Sequence, residues 1–246
     1  MKADHFDQQK LLALAAEDVA LSQLAHRKRT LPELAAVESA AERERGFAEQ
    51  VVRAETAVRD LQREVKRLEG DVDTVRQRAA KDQKLLDSGS VSAKQMTDLQ
   101  HELQSLARRQ SDLEDQELEL MEQLETAEAT LAEATDGQTQ AQADRTRAEQ
   151  LRDDALADIA DGTTRHEQAR QDAAATIPDD LLSLYERIRT QTGGTGAAML
   201  KARQCQGCRL ELFGRELAAV RNADPHEVVR CDNCGRILVR TAESGL

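Results

Sequence analysis

Apolar residues recur at alternating intervals of three and four along two long stretches, and that spacing admits little besides coiled coil. The first ladder runs from Phe47 through Val51, Ala54 and Val58 to Ala79; the second runs from Met96 through Leu99, Leu103 and Leu106 to Ala134. Between them lies LLDSGSVSAKQ, with Gly89 suited to a turn and Ser92 suited to capping a new helix. The two ladders therefore read as antiparallel arms of one hairpin, with its tip near residues 85–92. Pairing about Gly89 sets Val75 against Leu103, Val72 against Leu106 and Val65 against Leu113. Reflected heptads also match when the centre moves by half a heptad, so the turn chemistry makes the choice. Past Ala134 the ladder weakens, and Gly137 among small residues predicts fraying or a bend.

Two restart signals bracket the central region. In TLPEL, Thr30 is placed to cap a helix with Glu33 as its capping-box partner and Pro32 in the first turn. TIPDDLL repeats the device, with Thr176 ahead of Pro178 and two acids. The expected fold is mainly α: a long antiparallel coiled-coil hairpin over residues 1–176, broken near 29–32. A C-terminal helix and a small β-rich zinc ribbon follow over 177–246. Aromatics make up 2% of the chain, which leaves few large side chains for an ordinary globular interior.

All four cysteines of the chain lie in one pattern, C-x2-C-x22-C-x2-C: Cys205, Cys208, Cys231 and Cys234. Each pair forms a knuckle that points two sulfurs at one centre. Four thiolates close a tetrahedral site, the structural mode of zinc, with no position left for water. One structural Zn2+ is the expectation; iron in a four-sulfur site has similar geometry and stays open. Gly207 and Gly235 suit tight knuckle turns. His226 reads as a surface loop residue beside Pro225, not a fifth ligand. AAMLKARQC and EVVRCDNCGRILVR read as strands, GRELAAVRNA as a helix between them, and Tyr185 as packing at the junction with the coil.

At IPDDLLSLYERIR, the glycine-rich TGGTG leading to AAML, CQGC and CDNCGRILV, the chain resembles a bacterial family of C4-type zinc-ribbon proteins with an N-terminal coiled-coil hairpin. The resemblance covers Ile177 to Arg240, and the coil matches in architecture. It implies that Cys205, Cys208, Cys231 and Cys234 are zinc ligands. Gln206, Asp232 and Asn233 depart from the apolar residue and proline usual in the family's knuckles, a change of surface and not of ligation. The resemblance implies an adaptor or regulator; other members carry only a nucleic-acid-binding label.

The net charge of −12 is uneven. Residues 197–246 hold eight Lys/Arg and six Asp/Glu, so the rest carries −14 and repels phosphate backbones. Three function classes follow. The first is a non-enzymatic adaptor that binds a protein partner through the ribbon and the LLSLYERI helix, with the hairpin setting reach. The second is nucleic-acid binding by Arg230, Arg236 and Arg240; with one aromatic in the ribbon, Phe213, it is expected to be weak and salt-dependent. The third is a polymerase-channel factor presenting Asp82 or Asp87 at the hairpin tip. No nucleophile–base constellation or phosphate-binding motif marks an enzyme. No apolar run approaches a membrane span or a signal sequence, so a cytoplasmic location is expected, as monomer or dimer.

Overall fold

The computed structural model describes all 246 residues. Its helices are α1 (His5–Arg29), α2 (Pro32–Asp87), α3 (Ala93–Ala175), α4 (Asp179–Thr192) and α5 (Gly214–Asn222). Its strands are β1 (Ala197–Lys201), β2 (Gln204–Cys205) and β3 (Ile237–Val239). Contacts divide the chain into two compact units: residues 33–150, and residues 1–32 with 151–246. The first unit holds the hairpin arms. The second joins the N-terminal helix and the end of α3 to the ribbon, so this division falls elsewhere than at residue 176. The reason is that the apolar stripe of α1, Leu11, Leu14 and Ala15, is buried against the helix and sheet that follow residue 176.

In the hairpin unit the tip forms as expected. Gly89 takes a left-handed φ of 65°. Ser92 and Gln95 make a reciprocal capping box: the Gln95 Oε1 accepts from the Ser92 N–H at 2.9 Å, and the Ser92 Oγ accepts from the Gln95 N–H at 3.4 Å. Ser92→Ala is expected to cost about 1 kcal/mol locally. Hydrogen exchange should show it as faster amide exchange in the first turn of α3 alone.

The register differs from the expected one. Leu113 packs with Leu68 and Val72, flanked by Val75 and Leu120, not opposite Val65. The loop 88–92 is centred on Ser90, not Gly89, and the cross-arm ion pair Arg78–Glu102 follows that centre. Arg76–Glu114 at 2.8 Å and Arg145–Glu44 at 3.0 Å join the arms elsewhere. The expected fraying past Ala134 is absent. Helix α3 is unbroken for 83 residues, and Gly137 serves as a slot for an aromatic ring. A Cβ there would lie 2.4 Å from the Phe47 ring.

Both threonine caps are corrected in the same sense. Thr30 Oγ1 donates to the His26 carbonyl at 3.1 Å, and Thr176 Oγ1 donates to that of Ala173 at 2.8 Å. Each hydroxyl closes the helix behind it, because Pro32 and Pro178 lack the N–H that an N-cap would serve nearby.

In the second unit the sheet order is β2-β1-β3, with β1 antiparallel to β2 and parallel to β3. Alternation along these strands separates two cores. Ala197, Ile237 and Val239 face α1 and α4, where Leu181, Tyr185 and Ile188 are buried. Ala198, Leu200 and Leu238 face Cys205, Cys231, Leu212 and Val220 on the metal side. The sheet is the wall between the helical core and the cysteine core. EVVR forms no full strand; Arg230 bridges Ile237 alone, and the N-terminal residues Met1 and Ala3 take backbone bonds from Val228 and to His226.

Candidate metal centre

The ribbon brings all four cysteines together although 22 residues separate the pairs. Cys205 ends β2 and Cys208 lies on the turn after it, while Cys231 and Cys234 lie on the turn before β3. Their sulfurs all lie within 4.8 Å of one another. Cys205 Sγ is 3.8 Å from Cys234 Sγ, and Cys208 Sγ is 3.8 Å from Cys231 Sγ. A regular tetrahedron with Zn–S bonds of about 2.3 Å requires sulfurs about 3.8 Å apart, so the quartet fits one zinc ion.

Each knuckle is closed by a backbone bond across the turn. Arg209 N–H donates to the Cys205 carbonyl at 2.7 Å, and Gly235 N–H to that of Cys231 at 2.8 Å. The residue after each second cysteine is left-handed: Arg209 at φ 59° and Gly235 at φ 73°. The expected special turn residue of the first knuckle, Gly207, is not in that region; Arg209 is. A non-glycine residue there costs about 1–2 kcal/mol, less the entropy a glycine would lose. Arg209→Gly should therefore stabilise the zinc-loaded ribbon by about 0.5–1 kcal/mol, read as slower zinc loss to a chelator.

Without a bound cation, two thiols of the quartet resist ionisation. Burial pushes the Cys231 thiol up to about 12, helped by the neighbouring Cys205, and burial likewise raises Cys205. Cys234 is partly buried, but the backbone N–H and side chain of Arg236 outweigh that burial and hold it below the ordinary range. A metal must therefore replace the protons of Cys205 and Cys231 to bind, and four sulfurs fill a zinc coordination sphere.

The three arginines read as partner contacts all have structural work, and Arg240 has both of its terminal nitrogens engaged. Arg240 donates from Nη1 to the carbonyls of Val220 and Ala223, and from Nη2 to those of Asp224, Pro225 and Glu227, at 2.7 to 3.4 Å. It caps α5 and ties the loop behind it. Arg230 Nε donates to Gly235 O at 2.8 Å, closing the second knuckle. Arg236 Nε donates to the Thr195 carbonyl at 3.1 Å and to its hydroxyl at 3.2 Å. His226 is exposed in its loop, 3.9 Å from Asp4, and away from the sulfurs. At the hairpin tip, Asp87 accepts from Gln83 at 2.9 Å and Asp82 lines a shallow groove.

A second polar constellation was missed. Asp18 is 4% exposed, yet its carboxylate accepts from Tyr185 Oη at 2.5 Å and Arg170 Nε at 2.7 Å, with Arg189 Nε at 2.9 Å. Glu186 completes it, paired with Arg170 at 2.5 Å and Arg189 at 3.1 Å. The signal was present in the sequence: Gln8, Leu11, Leu14, Ala15 and Asp18 share one face of α1, so an acid occupies the apolar stripe.

The model of a CT398-like coiled-coil hairpin domain matches residues 14–193, and that of a C4-type zinc ribbon domain matches residues 204–238. The chain belongs to the CT398-like coiled-coil hairpin family. An uncharacterised protein of Mycobacterium tuberculosis is 40% identical over 240 residues, covering 98% of both chains. One of Mycobacterium leprae is 32% identical over 220 residues, covering 89% of this chain and 94% of that one. A solved structure from Mycobacterium smegmatis aligns with a TM-score of 0.83 and 36% identity, over 98% of this chain and all of the other. CT398 of Chlamydia trachomatis aligns with a TM-score of 0.64 at 18% identity, over 96% and 98% of the two chains, which shows a shared fold. This CT398-like protein thus pairs a helical hairpin with a ribbon able to hold one zinc ion. No helix in it is long and apolar enough to cross a membrane.

Proposed function

We propose that the protein is a non-enzymatic adaptor of the cytoplasm that binds a protein partner through the outer face of its zinc ribbon. One observation carries this reading: Leu210 and Phe213, immediately after the first knuckle, are 50% and 67% exposed on a module held rigid by its metal. Large apolar side chains on a rigid, partly basic surface are the usual composition of a contact centre. The closed four-sulfur site holds metal for structure and offers no place to substrate. The hairpin supplies reach, and its tip carries two further exposed apolar residues, Leu85 and Met96.

Zinc-loaded protein, with and without the pair Leu210→Ser and Phe213→Ser, would be used to capture partners from cells. The same preparations would be titrated with labelled DNA and RNA across a range of salt. The expected result is a protein captured by the parent and lost with the double variant, and no nucleic-acid binding at physiological salt. Nucleic-acid binding that persists there, and falls when exposed Arg203, Arg209 and Arg215 become Ala, would overturn the adaptor reading. Arg230, Arg236 and Arg240 are unsuitable for that test, because their removal breaks the ribbon's internal bonds.

A further inference from the structure

The glycine-rich TGGTG segment was singled out in the sequence, and neither the metal centre nor the adaptor surface uses it. In the structure it forms the floor of a polar groove beside α1. Two adjoining cavities, of about 400 and 260 Å3, share Asp18, Ser22 and Gly194. The larger one ends at Arg189 and Thr190, and the smaller one at Gln206 and Arg236.

Two guanidinium groups reach this groove with donors to spare. Arg189 uses Nε on Asp18 and Nη1 on Glu186, which leaves Nη2. Arg236 uses Nε on Thr195, while its Nη2 lies 3.6 Å from where a Cβ of Gly194 would stand. The one acid on the wall, Asp18, is spent: its two oxygens are occupied by Arg170, Arg189 and Tyr185, and its side chain is 1% exposed. Gly193, at φ 65° and ψ 23°, follows the last helical residue of α4. That left-handed step ends the helix and turns the chain away, so the N–H groups that follow leave the helical ladder. The backbone N–H groups of Gly194 and Thr195 meet no backbone acceptor in the protein. Ser22 adds a hydroxyl, and no aromatic ring lines either cavity.

We infer that this groove is an anion site that takes the phosphate group of a small phosphate ester, held between Arg189 and Arg236 over the Gly193–Thr195 loop. One guanidinium in each of the two adjoining cavities supplies two positive charges, which suit a doubly charged oxyanion better than a singly charged carboxylate, and the absence of stacking rings places recognition on the phosphate and not on a base. The combined space is of the order of a small-metabolite pocket. The site also touches the metal module, since Arg236 stands beside Cys234 and Gln206 and Gly207 belong to the first knuckle.

The test uses the full zinc-loaded chain, labelled with 15N, titrated with inorganic phosphate, with glycerol 3-phosphate and with sodium acetate at low ionic strength. Glycine amides are few, 12 in 246 residues, and those of Gly193 and Gly194 report directly. The expected result is saturable shifts of these amides with both phosphates, tighter for the ester, and none with acetate at equal ionic strength. Ser22→Glu puts a carboxylate on an exposed, helix-compatible position of the groove wall and should weaken binding at least tenfold without loss of zinc. Equal shifts with acetate, no saturation by 10 mM ester, or binding unchanged in Ser22→Glu would each overturn the assignment. Saturation by inorganic phosphate with no gain from the ester would narrow the ligand to the free ion and overturn the ester claim.

Discussion

Cys205→Ser is expected to leave the protein with less than a tenth of a zinc ion per chain after dialysis, against one for the parent. Structural zinc contributes on the order of 10–16 kcal/mol to small modules, far more than this ribbon's apolar contacts supply. Cys231→Ser should be equally severe. Cys205 and Cys231 are both buried and belong to the metal-side core, whereas Cys208 and Cys234 are only partly buried. Their serine variants should therefore keep a weaker, chelator-sensitive zinc. Far-UV circular dichroism will register little in any of the four, because 76% of the chain is helical and only the nine residues of α5 pack on the metal side. Tyr185 is the better probe. It lies against Ile237 and Val239 on the opposite face of the same sheet, so its emission should change as the sheet loosens. Stoichiometric zinc retained by Cys205→Ser would defeat the ligand assignment.

The pH dependence of that site has a definite sign. In the metal-free fold, burial raises Cys231 and Cys205, so their contribution is present below the ordinary thiol pKa and is lost as pH rises above it, near 12 for Cys231. The zinc-bound form behaves in the opposite sense, because zinc holds thiolates and must displace protons to bind. Zinc uptake at neutral pH should release acid into a weakly buffered solution, and affinity should fall steeply as pH drops below neutral.

The parts of this protein legible in its sequence are those whose physics is local. The ladders, the Gly89–Ser92 turn, the two proline breaks and the paired CxxC knuckles each depend on residues within a few positions of one another. What was misread depends on partners that local pattern does not name. The hairpin register turned on where the arms are reflected, because heptads match again when the centre moves by half a heptad, as the packing of Leu113 on Val72 shows. Gly137 looked like a weak point because Phe47, which fills its slot, lies 90 residues away. Arg240 looked like surface charge because the five carbonyls it gathers come from the end of α5 and the loop behind it, which carry no pattern that points to an arginine. Asp18 and Tyr185 are 167 residues apart. Each could be placed on a helix face, but neither announced the other.

That pair supplies the second large effect. Asp18→Ala would leave Arg170, Arg189 and the Tyr185 hydroxyl around a buried gap, and breaking a buried charge cluster by removing one partner costs about 3–5 kcal/mol. Tyr185→Phe removes one hydrogen bond and should cost only about 1 kcal/mol. In urea, tyrosine fluorescence of Asp18→Ala should show the unit around α1, α4 and the sheet unfolding well before the parent, with zinc still bound in native buffer. The hydroxyl itself gives an independent test. Burial, and then the hydrogen bond and charge of Asp18, hold Tyr185 protonated far above its ordinary range. A raised folded value means its contribution is present below the ordinary tyrosine pKa, about 10, and is lost as pH rises beyond it. As the protein has a single tyrosine, absorbance at 295 nm follows this group alone. The parent should show no ionisation near pH 10, then an abrupt step that coincides with alkaline unfolding. Asp18→Asn removes the charge, and the step should move down toward 10. A smooth titration centred near 10 in the parent would mean that Tyr185 is reached by water and that Asp18 is not its partner in solution.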